Sequence, residues 1–128
     1  MVTFKEFLLQ EGIEIFLDDD RDPSDPSVQE DFGARPGMVW VKTVPQAKEY
    51  LKTGQVSFIS FDNDLGLPEE GRHLANWIES QANLFVQGLG GIPQLQWTVH
   101  SKNMSAVRLI IMAMKSADKI WAREPRYE

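Results

Sequence analysis

Residues 13–20 read IEIFLDDD, a short apolar run that stops on three consecutive aspartates. The run is rich in Ile and Phe and too short for a helix with a face of its own, so it predicts a buried strand over residues 13–18. The same pattern returns at VSFISFD, residues 56–62, where a second apolar run also closes on an aspartate. Two further short apolar runs, MVWVK at 38–42 and QLQWTVH at 94–100, predict strands of the same kind. In chain order these are strands 1 (13–18), 2 (38–42), 3 (56–62) and 4 (94–100).

Helical patterns separate the strands. Residues 22–37 hold three prolines and two glycines and predict a loop with one short turn near 26–32. Thr43 can cap a helix over 44–52, with Pro45 tolerated in its first turn and Gly54 stopping it. Leu74, Trp77, Ile78 and Phe85 fit one face of a helix over 71–87. The glycines of QGLGGIP neither follow a strand nor open a helix, which excludes a dinucleotide-binding turn. Asn103 can cap a last helix that carries Met104, Val107, Ile111 and Met114 on one face, and residues 121–128 carry no readable pattern. Strands alternating with helices predict an α/β fold with a mostly parallel sheet of about four strands. The flavodoxin-like arrangement, a three-layer sandwich with strand order 2-1-3-4, fits best. It forms one domain over 13–128, behind an N-terminal amphipathic segment, 1–12, with Phe4, Phe7 and Leu8 at helical spacing.

Composition bounds the function. A chain of 128 residues, 42% hydrophobic and 25% charged, suffices for one core. No run is long and apolar enough for a membrane span, and no secretory signal is visible. The absence of cysteine excludes disulfides, thiolate metal sites and cysteine nucleophiles, and suits a reducing cytoplasm. A net charge of -6 argues against generic binding of duplex nucleic acid, which needs clustered Lys and Arg. A small phosphorylated ligand or a single RNA end remains compatible, if a metal neutralises the acids.

In open α/β sheets, ligands bind at the carboxyl ends of the strands near the point where the strand order reverses. Strand 1 ends in Asp18, Asp19 and Asp20, strand 3 in Asp62 with Asp64 just beyond, and strand 4 in His100 and Ser101. Carboxylates brought this close repel, and either protonation or a bound hard cation relieves them. Oxygen-only ligands favour Mg²⁺, Mn²⁺ or Ca²⁺, and Mg²⁺ characteristically joins one or two carboxylates to a substrate phosphate. Asp18, Asp19 and Asp62 are therefore the candidate metal ligands. His100 can pass protons to or from a phosphate ester, and the helix after it presents free N–H groups. Ser101 can donate to a phosphate oxygen. Asn103 either caps its helix or binds phosphate, and Arg21 either clamps a phosphate or pairs with the acids around it. His73 falls in a helical run and reads as surface.

The ordered set FLDDDRDP, VKTVPQA, SFDNDLG, a tryptophan-bearing helix and VHSKN resembles the cyclic-phosphate-processing receiver domain family, over roughly residues 13–114. That family is a divergent branch of the response-regulator receiver fold. The resemblance implies that Asp18 and Asp19 match the acidic pair that holds a divalent ion and that Asp62 matches the receiver phosphoacceptor. Arg21 and Pro23 match the family's DDxRxP pattern. His100, Ser101 and Asn103 match an HSxN motif thought to act on phosphate. It also implies processing of cyclic phosphates such as 2′,3′-cyclic RNA ends. The chain departs from the family in three ways. Asn63 stands where the family has a histidine in DHD, Met104 and Ser105 stand where Pro and Gly are common, and no fifth strand carries the receiver lysine. Lys115 and Lys119 fall on a helix instead, which argues against phosphorelay signalling.

The start, MVTFKEFLLQE, resembles the capsid-targeting leader of large tailed phages, with Leu9-Gln10-Glu11 as the processing site and cleavage before Gly12. That resemblance implies packaging in a virion and delivery to a host cytoplasm. Two readings follow. The first is a phosphoesterase dependent on Mg²⁺ or Mn²⁺, with Asp62 and His100 catalytic and Arg21, Ser101 and Asn103 on the phosphate. The second is a catalytically silent module whose acidic surface contacts a host or partner protein.

Overall fold

The computed structural model describes residues 12–123, so the expected N-terminal leader lies outside the described residues. The elements alternate in the order β1 (Ile13–Leu17), α1 (Pro26–Phe32), β2 (Val39–Val41), α2 (Val44–Leu51), β3 (Val56–Phe61), α3 (Gly71–Val86), β4 (Gln96–Val99) and α4 (Met104–Trp121). All four strands are parallel and lie in the order β2-β1-β3-β4. This is the expected α/β receiver-like architecture. Among the described residues no fifth strand extends the sheet, and Lys115 and Lys119 lie on α4.

The apolar runs form strands because both faces of the sheet are covered. Ile15 and Leu17 of β1, with Ile59 and Phe61 of β3, face a core shared with α2, α3 and α4. Phe16 points the other way, into a smaller cluster with Val28 of α1, Ala34 and Met38. Among the described residues, three helices therefore pack on one face and a single short helix on the other. Local chemistry sets the helix starts: Asp25 accepts from the Ser27 N–H at α1 and Thr43 from the Gln46 N–H at α2.

Two helical faces differ from the sequence expectation. In α3 the buried residues are Gly71, Leu74, Ala75, Ile78 and Ala82, while Phe85 is 45% exposed. In α4 they are Ala106, Ile110, Ala113, Met114, Ala117, Ile120 and Trp121, while Met104 is 64% exposed. Alanines line much of the packed face of both helices, because small side chains let a neighbouring element approach closely. Of the tail, Trp121 ends α4 and Ala122 caps it; Trp121 is buried and its Nε1–H donates to the Ile92 carbonyl at 2.9 Å. No described helix is long and apolar enough to cross a membrane.

Register sets up the edge that matters. Leu17 pairs with Val41 and Phe61, and Phe61 pairs with Val99. The next residue along each of β1, β3 and β4 is Asp18, Asp62 and His100. Their N–H groups extend the ladder, donating to Val41, Leu17 and Phe61 at 3.0, 2.9 and 2.9 Å.

Candidate functional site

Asp18 is fully buried and heavily hydrogen-bonded. Its Oδ1 accepts from the backbone N–H of Asp20 and of Arg21, both at 2.9 Å, which turns the chain sharply after β1. Its Oδ2 accepts from Arg21 Nη1 at 2.9 Å and faces His100 Nε2 at 3.0 Å. Its carbonyl accepts from Trp40 Nε1 at 2.7 Å. Burial pushes the Asp18 carboxyl up. The hydrogen bonds from His100, from the Arg21 and Asp20 backbone and from the Arg21 guanidinium outweigh that and hold it well below the usual carboxylate range.

Asp62 is also buried, but less well compensated. One oxygen accepts from the Asn63 N–H at 2.8 Å, and Oδ2 lies 3.9 Å from Arg21 Nη1. Burial first, and then the negative charge of Asp18, raise its proton affinity above that of an ordinary carboxyl. Asp19 is exposed, and one oxygen from each of Asp18, Asp19 and Asp62 falls within 4.8 Å of the others. These carboxylates border a cavity of about 310 Å³ lined by Asp18, Asp19, Asp20, Arg21, Asp62, Asp64 and Lys102.

This donor set fits a hard divalent cation, being all oxygen and anionic. A carboxylate offers about four lone-pair positions, and four donors already meet Asp18. A cation at Asp18 would therefore take the place now held by the Arg21 guanidinium. Arg21 has somewhere to go: its guanidinium rests on the Phe32 ring, 4.0 Å from the centroid, and its side chain is 29% exposed.

The HSKN residues contribute differently from the expectation. His100 is not exposed to the cavity; its side chain is 3% accessible. Its ring stacks on Phe16, with centroids 4.2 Å apart and planes 8° from parallel, and meets Phe32 edge-on at 6.4 Å. Both ring nitrogens are engaged, Nδ1 with the Ser60 hydroxyl at 2.7 Å and Nε2 with Asp18. A ring held this way does not present a free nitrogen to a phosphate, which departs from the expected proton-transfer role. Ser101 Oγ accepts from the Asn103 N–H at 3.2 Å. Asn103 takes the capping alternative: its Oδ1 accepts from the Ala106 N–H at 3.2 Å and its Nδ2 donates to Asp64 at 3.2 Å. Neither Ser101 nor Asn103 lines the cavity.

Several side chains take roles that the sequence reading did not assign. Lys102 lines the cavity and holds its ammonium 5.2 Å from the Phe32 ring centroid. Ser60 is fully buried behind His100. Asn63, at the position where the resemblance implies a histidine, turns inward. Its Nδ2 donates to Asp64 and Glu70 at 2.9 and 3.0 Å, and its Oδ1 accepts from the Arg72 N–H at 3.1 Å. Gly71 lets α3 start against this loop, because a Cβ there would overlap the Asp62 carbonyl oxygen. His73 is half-buried and caps α3, its Nδ1 accepting from the Glu70 N–H at 2.8 Å.

Against known proteins, the family model of the cyclic-phosphate processing receiver domain matches residues 13–116. No curated protein and no solved structure matches the chain.

Proposed function

The chain belongs to the cyclic-phosphate processing receiver domain family, and from that premise we propose that it is a metal-dependent phosphoesterase opening cyclic phosphates such as 2′,3′-cyclic RNA ends. The observation that carries this reading is the convergence of Asp18, Asp19 and Asp62 within 4.8 Å at a cavity that also holds two cationic side chains. The three carboxylates would hold Mg²⁺ or Mn²⁺. Such an ion, when bound, neutralises phosphate charge and acidifies water. Arg21 and Lys102 bind the non-bridging phosphate oxygens from the rim. Asp62, at the same cavity, takes the proton from the attacking water and passes it to the leaving oxygen. One P–O bond to the ribose breaks, the freed oxygen takes a proton, and a phosphate monoester results.

The test is hydrolysis of an RNA oligonucleotide ending in a 2′,3′-cyclic phosphate, with Mg²⁺ or Mn²⁺, beside the Asp62→Asn protein. Metal-dependent opening by the parent, lost in the variant, supports the reading. Equal rates, or no opening with either metal, rule it out for this substrate.

One observation favours the second reading, a silent module contacting a partner protein through its acidic surface. Arg21 already supplies the acids with a cation of the chain's own. A rise in melting temperature on adding Mn²⁺, absent in Asp19→Ala, favours the enzyme; no rise favours the module.

A further inference from the structure

Ser60, His100 and Asp18 form one hydrogen-bonded row running from the sheet interior to the cavity. The row has the composition of a hydrolase triad but the wrong polarity. In that triad serine meets Nε2 and aspartate meets Nδ1; here serine meets Nδ1 and aspartate meets Nε2. Ser60 is also fully buried, so no substrate reaches its hydroxyl. The only member that borders the cavity is Asp18.

The proton positions follow from the donors. An ionised Asp18 only accepts, so Nε2 carries the hydrogen for as long as the ring stays seated on that contact, and the second contact at Nδ1 is what seats it. In the neutral ring Nδ1 is then bare and accepts, and the Ser60 hydroxyl at 2.7 Å is its donor. Phe16 below and Phe32 at the edge fix the ring plane. A histidine whose tautomer and plane are both fixed holds its carboxylate partner at one angle, which is how outer groups orient metal ligands.

We propose that Ser60 is a positioning residue: it holds His100 as the Nε2–H tautomer, and His100 in turn aims Asp18 at the cation and phosphate cavity. His100 then acts through Asp18 and exchanges no proton with the substrate. The inference rests on the cation-dependent reading above, but its first readout does not.

That readout is the ¹⁵N–¹H correlation spectrum of the imidazole rings, with the neutral form populated. Only His73 and His100 contribute, so assignment needs one variant. The parent should show His100 as a single Nε2–H tautomer, and Ser60→Ala should show a mixture. Calorimetric titration with Mn²⁺ should give an affinity weakened about tenfold in Ser60→Ala. His100→Ala should lose as much, and His100→Gln, whose amide can still donate to Asp18, should recover part of it. An Nδ1–H tautomer in the parent overturns the proposal, and so does a Ser60→Ala protein with unchanged tautomer and Mn²⁺ affinity. If Ser60→Ala does not fold, Ser60→Cys, which keeps the size and offers only a weak donor, is read in the same two ways. If the parent binds no Mn²⁺, the cation-dependent reading fails, while the tautomer spectra still uphold or overturn the relay.

Discussion

Arg21 Nη1 lies 2.9 Å from Asp18 Oδ2. The same nitrogen is 3.9 Å from Asp62, so one guanidinium spans two of the three candidate ligands. An arginine in this position and a divalent ion compete for Asp18, while the arginine and a phosphate attract. Replacing Arg21 should therefore split the two affinities. In Arg21→Gln, Mn²⁺ should bind about fivefold tighter, since a part-exposed ion pair contributes about 1 kcal/mol. The KM for a cyclic-phosphate substrate should rise in the same protein. Calorimetry and steady-state kinetics on one preparation check both. Weaker Mn²⁺ binding would mean that Arg21 assembles the acids without competing for them.

The two buried aspartates titrate in opposite senses, and this fixes a pH dependence. Asp18 is held below the ordinary carboxyl value of about 3.9 because hydrogen bonds from His100, Arg21 and Asp20 outweigh its burial. Its stabilisation is complete above that ordinary value and is lost as pH falls below it. Asp62 is raised by burial and by the Asp18 charge. Its contribution is present below the ordinary value and is lost as pH rises through its folded pKa, so the ionised form weakens the fold. Without added metal, Asp62→Asn should melt higher than the parent at pH 7, and the advantage should shrink toward pH 4. Thermal unfolding across pH 4–8 measures it. A variant less stable than the parent at pH 7 would show that ionised Asp62 is well compensated.

The strands were legible because each apolar run stops on a polar residue, and the parallel register then aligns those stops. That is why Asp18 and Asp62 could be placed side by side from letters alone. The helix faces were less legible. Hydropathy weights large residues, so Phe85 and Met104 looked buried, yet Ala75, Ala82, Ala106 and Ala113 make the packed faces. Side-chain direction was not legible at all. His100 and Lys102 lie two residues apart, and only the fold shows that the histidine turns inward to Ser60 and Asp18 while the lysine borders the cavity. Ser60 had no signal in the sequence, since a serine inside a strand is ordinary until its partner 40 residues away is known.

Lys102 is exposed and borders the same cavity as the aspartates, with no ion pair to hold it among the described residues. A lysine placed this way contributes to substrate affinity through charge and little to the fold. Lys102→Ala should raise the KM for a cyclic-phosphate end several-fold, since one charge-assisted hydrogen bond contributes about 1.5–3 kcal/mol at most and less when exposed. The melting temperature should stay within about 1–2 °C of the parent, as for other exposed substitutions. Raising the salt concentration should shrink the difference in KM. An unchanged KM at low salt would place the substrate elsewhere.

Asn63 tests whether the family's histidine has been lost or relocated. In this chain the position is 1% exposed, and its side chain ties the Asp62 loop to the start of α3 through Asp64, Glu70 and the Arg72 N–H. An imidazole cannot reproduce two donors and one acceptor in the amide's geometry, and it is bulkier than the amide at a buried position. Asn63→His should therefore cost about 1–3 kcal/mol of stability, the usual penalty for unsatisfied buried polar groups or overpacking. Because Asp62 directly precedes Asn63, the same change should weaken Mn²⁺ binding and slow any hydrolysis. Chemical denaturation and Mn²⁺ titration measure the two effects together. A variant as stable as the parent and faster on a cyclic phosphate would mean that residue 63 faces the substrate, and that the inward asparagine has replaced a working proton-transfer group.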